Sequence, residues 1–331
     1  MKKVNLAVQF HGWFMATALA LALPVSAFWL TGCGKGASGD ASHETNGTAK
    51  LVVVTTTTHV TDMVESVAGK RVEVIALMGP GVDPHLYKPS AKDVTALSKA
   101  TLVFYSGLML EGRMAEVFSK ASLKGTKTYA VTQNVPEAKL LHPKEFAGHP
   151  DPHVWFDPEI WMNCIEVVRA GLTEADPAGK DEYARNAEAL KVEYGAVTDW
   201  SKARLSELPE ESRKLVTSHD AFNYFGRAFG IEVMAVQGIS TATEAGLADR
   251  AAMVDYVKRN KVKAIFVESS VSPAIIQGIA REAGVKVGGE LFSDAMGESG
   301  QLEGPGGEQY DVGTWVGMMK HNLNVIVEGL K

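Results

Sequence analysis

From Lys180 to Leu208 the chain runs for about 29 residues with no proline, one glycine, and apolar residues near helical spacing: Tyr183, Ala187, Leu190, Tyr194, Val197 and Leu205. This pattern predicts one long helix, a rod of roughly 40 Å at 1.5 Å per residue. Asp176-Pro177 before it and Pro209 after it supply the punctuation. On either side the same rhythm appears, short β-branched runs separated by amphipathic stretches, as in a parallel sheet covered by helices. Before the rod these runs are LVVVTTTT from Leu51, VEVIALM from Val72, TLVFYSG from Thr101 and TYAVTQN from Thr128. After it come KLVTS from Lys214, VMAVQGI from Val233, AIFVES from Ala264 and VKVGGELF from Val285. The expectation is an α/β fold of two lobes, residues 51–179 and 209–331, each with a roughly four-stranded parallel sheet and joined by the helix 180–208. A rigid rod restricts the lobes to a modest tilt, unlike the looped hinges that permit large closure.

Composition acts mainly by exclusion. At 46% hydrophobic and 22% charged over 331 residues, each half is large enough to bury a core without staples. A formal charge of -6 lacks the basic footprint of a nucleic-acid binder, so no nucleic-acid partner is expected. Two cysteines, Cys33 and Cys164, cannot make a disulfide framework. The first residues read as an export address: Lys2 and Lys3 precede the apolar run Phe14 to Leu23, a signal peptide over 1–32. Leu30-Thr31-Gly32-Cys33 resembles a bacterial lipobox, which makes Cys33 a lipid anchor; the competing cut follows Val25-Ser26-Ala27 and leaves a free thiol. Residues 33–50, rich in Gly, Ser, Thr and Ala, are expected to be a flexible tether.

Among nine histidines, three lie in polar or Gly/Pro-bounded stretches beside an aspartate: His85 in GVDPHLYKPS, His153 in HPDPHVWFDP and His219 in VTSHDAFNYF. Ligands of open α/β sheets bind beyond the carboxyl ends of strands, which directs His85 and His219 to one cleft. Asp294, in GGELFSDAMG, also follows a strand and adds a carboxylate to three imidazoles. Such a set holds a divalent metal. Taken singly, each is better read as a loop or capping residue. The paired triplets Asp83-Pro84-His85 and Asp151-Pro152-His153 are less easily dismissed, because proline fixes its own φ, biases its predecessor to extended geometry and so presents the ring on a rigid turn. Ligating histidines donate their outer N–H to a carboxylate or carbonyl, so Asp83, Asp151, Asp157, Asp220 and Glu268 are candidates for that part.

GVDPHLYKPS, DPHVWFDP, TSHDAFNYFGRAFG and LFSDAMG resemble the four metal-ligand segments of the zinc/manganese-type solute-binding proteins of bacterial ABC transporters. ISTATEAGL, VESSVSP and WVGMMKHN fall in the same order, so the likeness spans nearly the whole chain after the tether. The resemblance implies two α/β lobes joined by a long helix, with one divalent ion (Zn2+ or Mn2+, with Fe2+ also accommodated) held between them as cargo. It places His85 and His153 on the first lobe and His219 and Asp294 on the second. It also implies capture outside the cytoplasm and delivery to a membrane permease by a monomer anchored through Cys33, with loops carrying His219 or Asp294 opening the site. The nitrogen-rich set tilts to zinc; the stretch 141–150, which holds only His142 and His149 where zinc-specialised members carry a His-rich loop, tilts back to manganese or mixed use.

Two other classes fit a His3Asp set: an exported zinc-dependent metalloenzyme, and a surface adhesin with a structural metal staple. The chain has no H-E-x-x-H or G-x-S-x-G, its G-x-G-x-x-G spacing at Gly34 to Gly39 falls in the tether with no strand before it, and there is no evident carboxylate base beyond the ligand set, so no enzyme is expected.

Overall fold

The structure, a computed structural model, describes residues 50–331 apart from Ala147. The signal peptide, the tether up to residue 49 and the lipidation of Cys33 lie outside the described residues.

The first half alternates strands and helices: β1 (Leu51–Thr55), α1 (Thr58–Ala68), β2 (Val72–Ala76), α2 (Ala91–Lys99), β3 (Leu102–Tyr105), α3 (Ala115–Leu123) and β4 (Lys127–Ala130). All four strands pair in parallel, in the order β2-β1-β3-β4. A long connection leads to α4 (Pro158–Ala175), where Asp157 accepts from the backbone N–H groups of Glu159 and Ile160 and proline takes the first helical position. The rod expected from the periodicity is α5 (Lys180–Leu205), 26 residues long and buried along Tyr183, Ala187, Leu190, Tyr194, Val197 and Leu205. It stops short of Leu208, and Lys202 and Arg204 in its last turn complement the carbonyl end of its dipole.

The second half continues with β5 (Lys214–Thr217), α6 (Asn223–Phe229), β6 (Glu232–Ala235), α7 (Leu247–Arg259), β7 (Ala264–Glu268), α8 (Ala274–Ala283) and β8 (Lys286–Leu291). A short antiparallel pair, β9 (Leu302–Glu303) with β10 (Tyr310–Asp311), and the closing helix α9 (Trp315–Leu330) follow. Its four main strands form two parallel pairs, β5-β6 and β7-β8, with β5 lying beside β7. A side chain does the joining at their carboxyl ends: Glu268 accepts from the N–H groups of Ser218 (2.7 Å) and His219 (2.9 Å).

One apolar core runs through both halves. It links Val53, Leu102 and Phe104 of the first sheet through Trp161 and Tyr194 to Trp315, Phe266 and Leu330 of the second half. α5 packs on α1 and α4 on one side and on α9 on the other. Polar bonds pin the same seam: the Trp315 backbone N–H donates to Asp62 (3.0 Å) and its indole N–H to the Trp155 carbonyl (2.9 Å). Smaller clusters fill the spaces under α7 and α8 and under α2 and α3.

Candidate metal centre

Four chain segments meet above this core. His85 lies on the loop after β2, His153 on the connection from β4 to α4, His219 just past β5 and Asp294 just past β8. Three of the four therefore follow the carboxyl end of a strand, as open α/β sheets place their ligands.

The two Asp-Pro-His triplets fold alike. Asp83 Oδ1 accepts from the His85 N–H (2.8 Å), and Asp151 Oδ1 from the His153 N–H (2.9 Å). Each aspartate thus fixes the amide of its own histidine two residues on, the ordinary local habit of this residue. Asp151 also takes His153 Nδ1 at 2.7 Å, and is itself held by Asn223 Nδ2 on Oδ2 (3.2 Å) and by the Tyr224 hydroxyl on its carbonyl (3.1 Å). His219 is fixed the same way from the other half: Glu268 Oε2 stands 2.5 Å from Nδ1 while Oε1 holds the backbone. With Nδ1 engaged by a carboxylate on both rings, Nε2 is the atom each turns inward.

Those inward atoms converge on Asp294. His153 Nε2 lies 3.3 Å from Asp294 Oδ1; His219 Nε2 and His85 Nε2 lie 3.2 and 3.6 Å from Oδ2; His85 and His153 Nε2 are 3.3 Å apart. All four donors fall within 4.8 Å of one another and all four residues are buried, His85 being the most exposed at 6%. His219 Nε2 and both Asp294 oxygens have no hydrogen-bond partner, an arrangement native proteins avoid unless something else satisfies the atoms. A tetrahedral ion with bonds of about 2.0 to 2.1 Å sets its ligand atoms about 3.3 to 3.4 Å apart, and these separations bracket that figure.

The electrostatics lead to the same point. Burial alone pushes the Asp294 carboxyl up, but His219, His153 and His85 outweigh it and hold it well below the usual carboxylate range. Burial pulls His153 down, yet Asp151 and Asp294 raise it to about 9; Glu268 and Asp294 likewise lift His219 well above its ordinary value. His85 goes the other way, to about 3, because its burial exceeds the help from Asp294 and the neighbouring imidazoles oppose its charge. Both shifts favour the charged form of His153 and His219 in the metal-free pocket.

The other expected carboxylates are placed differently. Asp83 turns its second oxygen to the Thr241 hydroxyl (2.6 Å). Asp157 caps α4 and pairs with Arg227 at 2.8 Å, and the backbone N–H of Asp220 donates to the Gly238 carbonyl (3.3 Å). Sequence reasoning missed Asn223 as an anchor of Asp151, and it missed His59. This histidine of α1 is fully buried, stacks on Trp155 at 4.5 Å, faces Met318 Sδ at 3.3 Å and is pushed down to about 3 by burial. Nothing in the run of threonines around it marks it as special. Trp155, edge-on to His153 at 5.3 Å, walls the pocket on that side.

Glu268→Gln keeps the shape of the group that orients His219 and removes its charge. It is expected to weaken metal binding by about 10- to 100-fold in a competition titration against a chelator, with the fold retained; unchanged affinity would mean that the ring is oriented by packing alone.

Residues 53–329 match the family described as zinc-uptake complex component A, periplasmic. The manganese-binding lipoprotein MntA of Bacillus subtilis (strain 168) is 40% identical over 323 residues, spanning 96% of this chain and 100% of that protein. The zinc-binding protein TroA of Treponema pallidum (strain Nichols) is 40% identical over 287 residues, 85% of this chain and 89% of that one. The solved structure of the periplasmic zinc-binding protein TroA from Treponema pallidum has a TM-score of 0.79 at 39% identity, covering 85% of this chain and 99% of its own. A manganese-bound periplasmic metal-binding protein from candidatus liberibacter asiaticus has a TM-score of 0.72 at 26% identity, with 85% and 100% covered.

Proposed function

The chain belongs to the zinc-uptake component A family of periplasmic proteins, and from that premise we propose that His85, His153, His219 and Asp294 hold one Mn2+ or Zn2+ ion as cargo. It is a metal-binding solute-binding component of an ABC transporter, as its manganese- and zinc-binding relatives are. The observation that carries the ligand assignment is the convergence of four buried donors on a single point, with His219 Nε2 and both Asp294 oxygens lacking a hydrogen-bond partner. Three imidazoles and a carboxylate suit either ion, so availability outside the cell rather than intrinsic preference sets which one is loaded.

Delivery goes to a permease in the cytoplasmic membrane, by a monomer tethered through a lipid on Cys33. Carriage fits the site better than catalysis does. Catalytic zinc keeps a position open to water, whereas here four protein donors are enclosed by Trp155 and the surrounding loops.

Calorimetric titration of metal-stripped protein with Mn2+ and with Zn2+ is expected to give one ion per chain, and solution scattering before and after loading is expected to give nearly the same radius of gyration. A stoichiometry of zero removes the reading. A large compaction, such as hinge-closing receptors undergo, removes the rigid connection through α5 instead.

A further inference from the structure

We propose that the hydrogen bond from the Thr241 hydroxyl to Asp83 Oδ2 is the latch of the metal site, and that breaking it limits the rate of metal release. The bond is 2.6 Å long and joins a loop of the first half to a loop of the second. It rests on the ligand set proposed above.

Both ends of this bond are wired to a ligand. Asp83 uses its other oxygen to hold the N–H of His85 (2.8 Å) and, more weakly, of Leu86 (3.4 Å), so moving its carboxylate moves the turn that presents the His85 ring. Thr241 sits in the stretch 236–246, which has no helix or strand between β6 and α7. The root of that stretch is bonded to the residues flanking His219: the Gln237 N–H donates to the Ser218 carbonyl (2.9 Å) and the Asp220 N–H to the Gly238 carbonyl (3.3 Å). Displacing the loop therefore pulls on the His219 segment.

The loop is anchored at its ends and loose at its crest. Val236, Ile239 and Ala245 are buried, whereas Ala242, Thr243 and Glu244 are exposed. Clefts of about 330 and 450 Å3 border it, the first lined by Asp83, Leu86 and Thr241 and the second by Ser240 and Thr243. An exposed crest beside open space lies towards the low-stability end of local opening. Asp249 Oδ2 holds the far end through the Gly246 N–H (2.9 Å), while the bonds within the crest are longer, Ala242 N–H to Ser240 Oγ at 3.3 Å and Gln237 Nε2 to the Thr243 carbonyl at 3.4 Å. By contrast Thr241 is 8% exposed and its hydroxyl donates to a carboxylate, the stronger kind of hydrogen bond. This bond ties the crest to the first half, so the crest cannot swing away from the His85 turn until it breaks.

The test measures metal dissociation from the loaded full-length chain, mixed rapidly with excess chelator, for wild type, Thr241→Val and Thr241→Ser. Valine keeps the shape and removes the donor, while serine restores the donor. Thr241→Val is expected to release the ion about ten- to a hundredfold faster, and Thr241→Ser within about twofold of wild type. Metal-free Thr241→Val should melt at a somewhat lower temperature than wild type, because Asp83 Oδ2 loses its donor, yet remain folded and bind one ion per chain. Wild-type release from Thr241→Val overturns the latch. His219→Ala, titrated in parallel, separates the two ideas: if it binds metal normally, the ligand set falls as well, and if it does not while Thr241→Val releases slowly, only the latch falls.

Discussion

His219→Ala is expected to lower the affinity for Mn2+ or Zn2+ by about a hundred- to a thousandfold. Structural zinc sites bind with roughly 10 to 16 kcal/mol shared among four ligands, or about 3 kcal/mol for each, and every 1.4 kcal/mol is tenfold. His219 should lie at the upper end of that range, because its loss also takes the ring away from Glu268 Oε2 and Asp294 Oδ2, two buried carboxylate oxygens. The metal-free variant should accordingly melt at a lower temperature than the metal-free parent. His85→Ala should cost a similar factor in affinity without this second penalty, since its ring is held near 3 and is neutral at physiological pH. His142→Ala and His149→Ala serve as controls: His142 is a surface ring 2.9 Å from Glu137, and His149 is exposed beside Phe146. Competition titration reads all four, and equal losses across the set sink the assignment.

The second large effect is on pH. With His153 raised to about 9 and His219 raised well above its ordinary value, both rings of the metal-free protein are expected to hold a proton at pH 7. An ion coordinates only the neutral ring, so loading must expel about two protons. Calorimetry in two buffers of different ionisation enthalpy counts them directly. Affinity should rise steeply with pH, by roughly a hundredfold per unit near neutrality, and less steeply above about pH 9, where His153 has lost its proton. Stability of the metal-free chain should move the other way. A histidine whose value is raised on folding contributes stability that is fully present below its unfolded value near 6.5 and is lost as the pH climbs through its folded value, so the share of His153 fades between about pH 6.5 and 9, and that of His219 fades from about pH 6.5 upwards. Asp294, depressed on folding, contributes above the ordinary carboxylate range and is lost only in strong acid. Loading that releases no protons would falsify the paired arrangement of rings and carboxylates.

The architecture was legible because periodicity is a local signal. Eight strand runs and the rod through Tyr183, Ala187 and Leu190 could be read without any neighbour in space. The division of the second half into two strand pairs could not, since it turns on Glu268 reaching across from β7 to the amides after β5. The same limit governs the carboxylates around the site. Asp151 was readable because its histidine is two residues away, within reach of the same turn. Asp157 and Asp83 share that local appearance, yet one is spent on a helix end and the other on Thr241, 158 residues downstream. Adjacency in sequence says that an aspartate is near a histidine, not which group it faces. Thr241 and His59 gave no signal at all, because both owe their places to packing between segments far apart in the chain.

The interior shared by both halves has a consequence for the transporter. With Trp315 bonded to α1 and to Trp155, and α5 packed on α1, α4 and α9, a loaded and an empty receptor are expected to keep nearly the same outline. On that expectation the permease cannot recognise cargo by overall shape, and an empty receptor competes with a full one for docking. Discrimination would then fall to the few loop residues at the rim, and traffic through the system would be set as much by how many receptors stand empty as by how tightly any one of them binds.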